Sequence, residues 1–244
     1  MNIMFCLGGE GRRFQESGYT VPKPMIRLGG KALISWARET YVGFRNATPI
    51  YICRAQDIDR GIIEHLVGGV MVHIDRPTRG PAETILECGL SVGNEELLIA
   101  DCDSFFENPA ELVWAIAEFR RRQADGGVTI RQTEDPECSY AALNEKWVTQ
   151  TAERARLSEW STTGPYYWKD GARFLHYAKQ AVAEGVFSIA PIYNRLLRDG
   201  GTVRAFPVTT FVHLGRPHDL ETYAHDRGLV VQGGPVAPGV PGIS

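Results

Sequence analysis

Short apolar segments alternate with longer segments of helical periodicity through the first half of the chain, and this alternation constrains the fold more than any other feature. The apolar segments are nearly continuous and cover residues 2–7, 50–54, 70–75, 97–102 and 127–131. Continuous apolar strands are typical of a sheet that is covered on both faces. The alternation therefore predicts an α/β fold with a doubly wound, mostly parallel sheet that has right-handed crossovers.

Helices are predicted between these strands and in the last third of the chain. They cover residues 31–44, 58–66, 82–89, 109–122, 171–184, 189–198 and 217–225, and a further strand covers residues 203–208. Between residues 139 and 168 the pattern changes to short strands with turns, which predicts a small antiparallel insertion. No internal repeat or linker interrupts the chain, so we expect one domain over residues 1–231. Residues 232–244 are rich in Gly and Pro, which indicates a frayed tail.

Charge and cysteine content exclude several classes of protein. The chain has 26 basic and 29 acidic side chains, a net charge of −3 and a pI near 6.1, so it lacks the basic excess of a nucleic-acid-binding protein. No apolar run approaches the roughly 20 residues that cross a bilayer, and the amino terminus does not resemble a signal peptide. Five scattered cysteines without a CxxC pair argue against disulfides and structural zinc. We therefore expect a cytoplasmic protein that binds neither nucleic acid nor membranes.

A glycine-rich segment leaves the carboxyl end of the first predicted strand, where ligands collect in open α/β sheets. It reads GGEGRRF over residues 8–14, and PKP follows at residues 22–24. Glycines let backbone amides approach an anion closely, and Arg12, Arg13 and Lys23 add positive charge. The segment thus predicts a triphosphate site, although a glycine-rich turn with solvated arginines is the alternative. It lacks the GK[ST] ending of a P-loop.

Two carboxylates, Asp101 and Asp103, stand at the carboxyl end of the predicted strand at residues 97–102. Side chains two positions apart beyond a strand point the same way and can share a hard divalent cation. Mg²⁺ prefers one or two protein carboxylates together with phosphate oxygens, so this pair predicts a Mg²⁺ site, with Mn²⁺ as the alternative metal. A structural pair of loop carboxylates is the other interpretation.

Taken together, these motifs resemble those of the sugar-phosphate nucleotidyltransferases, or nucleoside-diphosphate-sugar pyrophosphorylases. The family signature is GGxG-[ST]-R-F, a spacer and PKP; here Arg12 stands where the family usually has Ser or Thr. The resemblance covers nearly the whole chain and is greatest to short members that serve capsule and surface-glycan synthesis. It implies a Rossmann-like fold of the GT-A type, in which residues of about 132–170 form an acceptor-binding insertion.

The resemblance also implies a reaction and its partners. The phosphate of a sugar 1-phosphate, or of a similar small phosphate ester, attacks the α-phosphorus of an NTP, and pyrophosphate leaves. The product is an activated precursor of surface polysaccharide. The resemblance leaves open whether the chain forms a homodimer. Arg13 and Lys23 are implied as catalytic residues that hold the phosphates, and Asp103 is the matched metal ligand with Asp101 as a departure. Nucleotide-binding roles are implied for Leu7, Gly8, Gly9, Gly11, Arg12, Thr78 and Gly80.

On the acceptor side, Glu153 and Arg154 resemble the family's Glu-Lys element. Glu153 would bind acceptor hydroxyls and Arg154 the acceptor phosphate, where the family has Lys; Gly164 and Tyr166 would line the same cleft. A solvated strand end and an ordinary aromatic core are the structural alternatives for these residues.

The chain departs further from the family pattern near residue 213. His213 occupies the place of a second metal-binding Asp in many relatives, and Arg216 replaces a Thr. Because a neutral His binds Mg²⁺ poorly, three alternatives stay open: Asp101 and Asp103 hold the metal, His213 has another role, or the activity is reduced.

Two other functions stay open from the sequence. The Asp-Cys-Asp motif at residues 101–103 is also typical of GT-A-type glycosyltransferases that use a nucleotide sugar. The substitutions at residues 154, 213 and 216 are compatible with a non-catalytic nucleotide-sugar-binding regulator.

Overall fold

A computed structural model describes residues 1–90 and 93–234 of the chain. The strands are β1 Asn2–Leu7, β2 Arg27–Leu28, β3 Lys31–Ala32, β4 Thr48–Arg54, β5 Val70–Ile74, β6 Leu97–Ala100, β7 Ser104–Phe106, β8 Gly126–Gln132, β9 Ser139–Asn144, β10 Trp147–Glu153, β11 Trp160–Trp168, β12 Val203–Pro207, β13 Phe211–His213 and β14 Val231–Gln232. The α-helices are α1 Arg12–Glu16, α2 Leu33–Glu39, α3 Ala55–Asp59, α4 Pro81–Glu87, α5 Ala110–Arg121, α6 Gly171–Ala183, α7 Tyr193–Arg198 and α8 Pro217–Asp226. Short 3-10 helices cover Lys23–Met25, Ile62–His65 and Ala190–Ile192.

Nine strands form the central sheet in the order β5-β4-β1-β6-β11-β8-β12-β10-β9. β1 lies parallel to β4 and β6, and β4 lies parallel to β5. β11 pairs antiparallel with both β6 and β8, and β10 pairs antiparallel with β9 and β12. The α/β prediction is therefore confirmed, but the sheet is mixed: β5-β4-β1-β6 are parallel on one side, and β8 and β12 form a second parallel pair.

β1 is covered on both faces, as its continuous apolar sequence predicts. Met4 belongs to a core that includes side chains of α4 and α6, whereas Ile3 and Phe5 belong to a second core with side chains of α2 and α5. Because successive side chains of a strand point to opposite faces, these helices cover the two sides of the sheet. A third cluster, which includes Phe14 and Leu220, packs α1 and α8 beside the sheet.

Two predictions about local structure were wrong. The antiparallel strands at residues 139–168 do not form a separate small sheet, because β11 inserts between β6 and β8 of the central sheet. The single helix predicted over residues 58–66 does not form. Instead α3 ends at Asp59, and Gly61, with φ of 89°, separates α3 from the 3-10 helix at Ile62–His65. A positive φ is a conformation that glycine adopts without steric cost, and it stops a right-handed helix.

Three further predictions concern the number of domains, the carboxyl-terminal tail and membrane-spanning segments. The single domain over residues 1–231 stays a prediction. The predicted tail begins at the last residue of β14, and residues 235–244 lie outside the described part of the chain. None of the helices in the described part has the length and apolar character needed to span a bilayer.

Trp168 of β11 and Tyr193 of α7 form an aromatic pair that packs α7 against the centre of the sheet. Their rings stack with centroids 4.5 Å apart, and both side chains are buried. The Tyr193 hydroxyl lies 3.1 Å from the carbonyl oxygen of Gly127 and 2.8 Å from that of Tyr167, and it donates to these acceptors.

We predict that Tyr193→Phe lowers the free energy of unfolding by about 1–3 kcal/mol, because it removes the donor for buried carbonyl groups while keeping the ring. Urea denaturation measures this change. Tyr223→Phe is the control, since its hydroxyl bonds Glu107 at an exposed position, and it should change stability by less than about 0.5 kcal/mol. Equal effects of the two substitutions would contradict the assignment.

Candidate active site

The loops at the carboxyl ends of β1 and β6 meet the start of α4 around one cleft, which we call the glycine-loop cleft. Parallel strands of an α/β sheet present such loops at the same edge, where ligands bind. The cleft is lined by Cys6, Leu7, Gly9, Gly11, Lys23, Pro24, Thr78, Gly80, Pro81, Thr84, Asp101, Cys102 and Asp103. The structure thus brings together eight of the residues singled out from the sequence, namely Leu7, Gly9, Gly11, Lys23, Thr78, Gly80, Asp101 and Asp103.

Glycines shape this cleft at two positions where a side chain would not fit. A Cβ on Gly8 would lie 2.8 Å from Ile74 and 2.9 Å from the Thr84 hydroxyl, so Gly8 packs beneath the cleft. Gly11 has φ of 70° and turns the chain into α1, with its Cα edge against the Lys23 side chain. The close approach of β1, α4 and Lys23 therefore depends on the missing side chains.

Lys23 and Asp103 form an ion pair at the bottom of the cleft. Their side chains are only 20% and 10% exposed. Burial by itself would lower the pKa of Lys23, but the Asp103 carboxylate raises it above its usual value. Burial would raise the pKa of Asp103, yet the charges of Lys23 and His213 lower it. Both groups therefore keep their charges near neutral pH.

Asp101 lies in a different environment from Asp103. Burial, together with the negative charge of Asp103, raises the pKa of the Asp101 carboxyl to about 8. Gly164, with φ of 102°, sits directly against Asp101 Oδ2, where a Cβ would overlap the carboxylate. Asp101 is thus a half-buried acid without enough neighbouring positive charge to ionise fully at neutral pH.

The donor set of Asp101 and Asp103 fits a hard divalent cation in its chemistry. Both side chains line the glycine-loop cleft, and two carboxylates are what Mg²⁺ takes from proteins beside phosphate oxygens. Within residues 1–90 and 93–234, no group of three or more His, Cys, Asp or Glu side chains is arranged to hold a metal ion. The two carboxylates would leave the other coordination positions of such a cation to water or to oxygen atoms of a substrate.

A second cavity, which we call the β11 pocket, adjoins the first. It is lined by Pro81, Asp101, Arg131, Glu137, Cys138, Ser139, Glu153, Thr162, Thr163, Gly164, Tyr166, Ser188, Ile189, Phe211 and His213. Glu153, Gly164 and Tyr166, predicted to act together, do line one pocket. Asp101 and Pro81 belong to both cavities, so two ligands could meet at Asp101.

Three arginines predicted to bind ligands lie outside the lining of both cavities. Arg12 is 77% exposed and pairs with Glu10. Arg13 donates to Glu137 at 2.8 Å. Arg154 lies 3.5 Å from Glu137 and is 54% exposed. Glu137 therefore holds Arg13 and Arg154 near each other at the border of the β11 pocket.

The departures at residues 213 and 216 have defined surroundings. His213 lines the β11 pocket beside Asp103, and burial lowers the pKa of its imidazole. Arg216 donates to Asp135 at 2.6 Å and to Asp219 at 2.7 Å, so it ties the start of α8 to the loop after β8. Arg216 thus has a structural role that its replacement of a Thr did not indicate.

The sequence patterns singled out neither Glu137 nor Arg131, which both line the β11 pocket. Arg131 stands near the carboxyl end of the buried strand β8. Packing of apolar side chains does not explain a charged residue at the end of such a strand, and this could have identified Arg131 from the sequence. Glu137 lies in a loop without a comparable pattern.

Comparison with known proteins identifies the relatives of this fold. Residues 6–175 match the family described as the MobA-like NTP transferase domain, whereas a comparison with curated protein sequences finds no match. The nucleoside-diphosphate-sugar pyrophosphorylase from Vibrio cholerae RC9 superposes with a TM-score of 0.79 at 22% identity, over 91% of this chain and 99% of that chain.

Two further solved structures share the architecture. The inositol-1-phosphate CTP transferase from T. maritima has a TM-score of 0.74 at 17% identity, over 92% of this chain and 93% of that chain. The UDP-glucose pyrophosphorylase from Acinetobacter baumanii has a TM-score of 0.74 at 14% identity, over 93% of this chain and 92% of that chain. At these identities the likeness shows a common fold.

The raised pKa of Asp101 predicts a pH dependence of stability. Between the pKa of an unfolded Asp, about 4, and the native value of about 8, the native state holds a proton that the unfolded state has lost. Metal-free protein should therefore lose stability as the pH rises through this window, by at most about 1.4 kcal/mol per pH unit from this group.

Asp101→Asn should remove that loss, whereas Asp226→Asn makes the same change at an exposed carboxyl and should keep it. Urea denaturation in EDTA across the window measures the difference. Parallel stability curves for wild type and Asp101→Asn would show that the Asp101 pKa is not raised.

Proposed function

Since this chain belongs to the MobA-like NTP transferase family, we propose that it transfers a nucleoside monophosphate from an NTP to a sugar 1-phosphate or a similar small phosphate ester. The observation that carries the proposal is the meeting of two cavities at Asp101, one with a glycine loop and a partly buried lysine, the other lined by Glu153 and Tyr166. The fold relatives named above differ in their nucleotides and acceptors, so the fold alone selects neither substrate.

In the proposed reaction an oxygen of the acceptor phosphate forms a bond to the α-phosphorus. The bond from this phosphorus to the oxygen that bridges to the β-phosphorus breaks, and pyrophosphate leaves with the electron pair. No covalent intermediate on the protein is required, so catalysis rests on positioning the phosphates and stabilising their charge. Such products are activated precursors for polysaccharides, and we propose surface polysaccharide as their use.

The glycine-loop cleft would hold the NTP. Backbone groups of Leu7, Gly9 and Gly11 line it, and Thr78 and Gly80 close it from the side of α4. Lys23 brings a buried ammonium group to the phosphates, where its charge acts in a poorly screened environment. Arg13 follows the glycine-rich segment that lines this cleft, but its guanidinium donates a hydrogen bond to Glu137. We propose that Arg13 reaches the leaving phosphates when an NTP is bound.

Asp101 and Asp103 would hold Mg²⁺, or Mn²⁺ in its place. When bound, the cation neutralises charge on the phosphate oxygens. The raised pKa of Asp101 supports this proposal, because burial and the negative charge of Asp103 outweigh the positive charge of Lys23 at this carboxyl group.

One experiment tests the reaction class. The protein is incubated with each common NTP and a panel of sugar and alcohol phosphates, with Mg²⁺, and pyrophosphate and the coupled product are measured. We expect one NTP and acceptor pair to yield both products in equal amounts. Transfer from a nucleotide sugar without pyrophosphate would support a glycosyltransferase, and binding without turnover would support a regulator.

We predict that Lys23→Ala lowers kcat by at least about tenfold, because a charge-assisted contact to the phosphates is lost. Lys31→Ala removes the same charge from a lysine that pairs with Glu39 outside both cavities and serves as the control. Steady-state kinetics of pyrophosphate release measure the effect, and similar rates for the two variants would refute the assignment of Lys23.

We predict that Asp103→Asn abolishes the gain in NTP affinity that Mg²⁺ provides, since one anionic oxygen ligand is lost. Calorimetric titration of NTP with Mg²⁺ and with EDTA measures this gain. Asp226→Asn should retain it, because Asp226 is exposed at the end of α8. A full Mg²⁺-dependent gain in Asp103→Asn would exclude Asp103 as a ligand.

A further inference from the structure

The β11 pocket is acidic, which creates a problem for an anionic acceptor. Glu137 and Glu153 line it. A phosphate ester carries negative charge at neutral pH and would be repelled by these carboxylates unless a cation inside the pocket receives it.

Most arginines around this pocket are already paired with carboxylates. Arg13 donates to Glu137, and Arg154 lies 3.5 Å from Glu137 and 3.9 Å from Glu153. Arg216 is held by Asp135 and Asp219. None of these guanidinium groups lines the β11 pocket.

Arg131 differs from all of them. In the part of the chain that the structure describes, it is the one arginine or lysine that lines the β11 pocket, and it has no carboxylate within 4.0 Å. Its Nε is buried and has no hydrogen-bond partner. A buried donor without an acceptor costs free energy, so this guanidinium has donor capacity that no protein acceptor meets, and its exposed part lines the pocket.

The position of Arg131 is fixed before any ligand binds. It lies near the end of β8, where its backbone is in register with Ser161 of β11. Its guanidinium lies over the ring of Phe211, with Cζ 5.1 Å from the ring centroid. Stacking of this kind orients the planar fork that matches phosphate geometry.

We propose that Arg131 binds the phosphate group of the acceptor, the role that the sequence pattern had suggested for Arg154. The inference rests on the proposed nucleotidyl transfer and names the residue that receives its second substrate. The guanidinium holds oxygen atoms of the phosphate ester and leaves another free to attack the α-phosphorus. The acidic lining then excludes anions that cannot reach Arg131.

The first test uses the acceptor found by pyrophosphate release. Arg131→Met should raise the acceptor KM by at least about tenfold, equivalent to about 1.4 kcal/mol, and leave the NTP KM within about twofold. Arg131→Lys should recover part of the loss, because it restores charge without the planar fork. Arg156→Met is the control, since Arg156 pairs with Glu134 outside the pocket.

Arg154→Met separates the two assignments. An acceptor KM that rises in Arg154→Met and stays unchanged in Arg131→Met would overturn the proposal, as would a rise confined to the NTP KM in Arg131→Met. Equal thermal midpoints of Arg131→Met and wild type show that the variant is folded. These outcomes leave the proposed function intact, because wild-type turnover is measured beside them.

A second test does not depend on turnover. Phenylglyoxal labels arginines, and peptide mass spectrometry reads each residue separately. Glucose 1-phosphate should slow the labelling of Arg131 more than sodium chloride of equal ionic strength does, and it should leave Arg156 unaffected. Unprotected Arg131 would overturn the proposal even if the wild type shows no transfer, while protection without transfer would point to failure of the proposed function alone.

Discussion

The pairing of β11 with β6 on one side and β8 on the other is the constraint on which the site depends. It joins the parallel strands that carry the glycine loop to the strands that carry Glu153 and Arg131. Gly164 of β11 therefore lies against Asp101, which follows β6. Two cavities that belong to different parts of the sequence come to share one carboxylate, and this shared wall is what makes a bimolecular transfer geometrically reasonable.

The two cavities differ in the charges that line them. In the glycine-loop cleft, the partly buried ammonium group of Lys23 and the carboxylate of Asp103 neutralise each other. The cleft therefore has charged groups in place for a ligand without carrying a large net charge of its own. In the β11 pocket the carboxylates dominate, and one guanidinium opposes them. Under the proposed function, the glycine-loop cleft would hold the phosphates of the NTP, whereas the β11 pocket would admit an anion only at Arg131.

Local periodicity predicted those parts of the fold that depend on burial alone. β1 has the predicted bounds of residues 2–7 because its apolar sequence is buried on both faces. The pattern at residues 139–168 identified strands but not their neighbours, since alternation records which face is buried and not which strand lies beside it. The five-residue helix α1 was too short to show a period.

The same limit applies to the site. Motif spacing gathered Leu7, Lys23 and Asp103 correctly into one cleft because they stand at the carboxyl ends of neighbouring strands or in the loops that follow. It could not show that Arg154 lies beside Glu137, because such pairing depends on the tertiary structure.

The ion pair of Arg13 and Glu137 links α1 to the loop after β8 across 124 residues of sequence. Both side chains are 44% exposed, so dissolved salt screens their attraction, whereas the buried pair of Lys23 and Asp103 is screened much less. Raising the ionic strength therefore weakens the connection between α1 and the β11 pocket first. The charges at the bottom of the glycine-loop cleft stay paired under the same conditions.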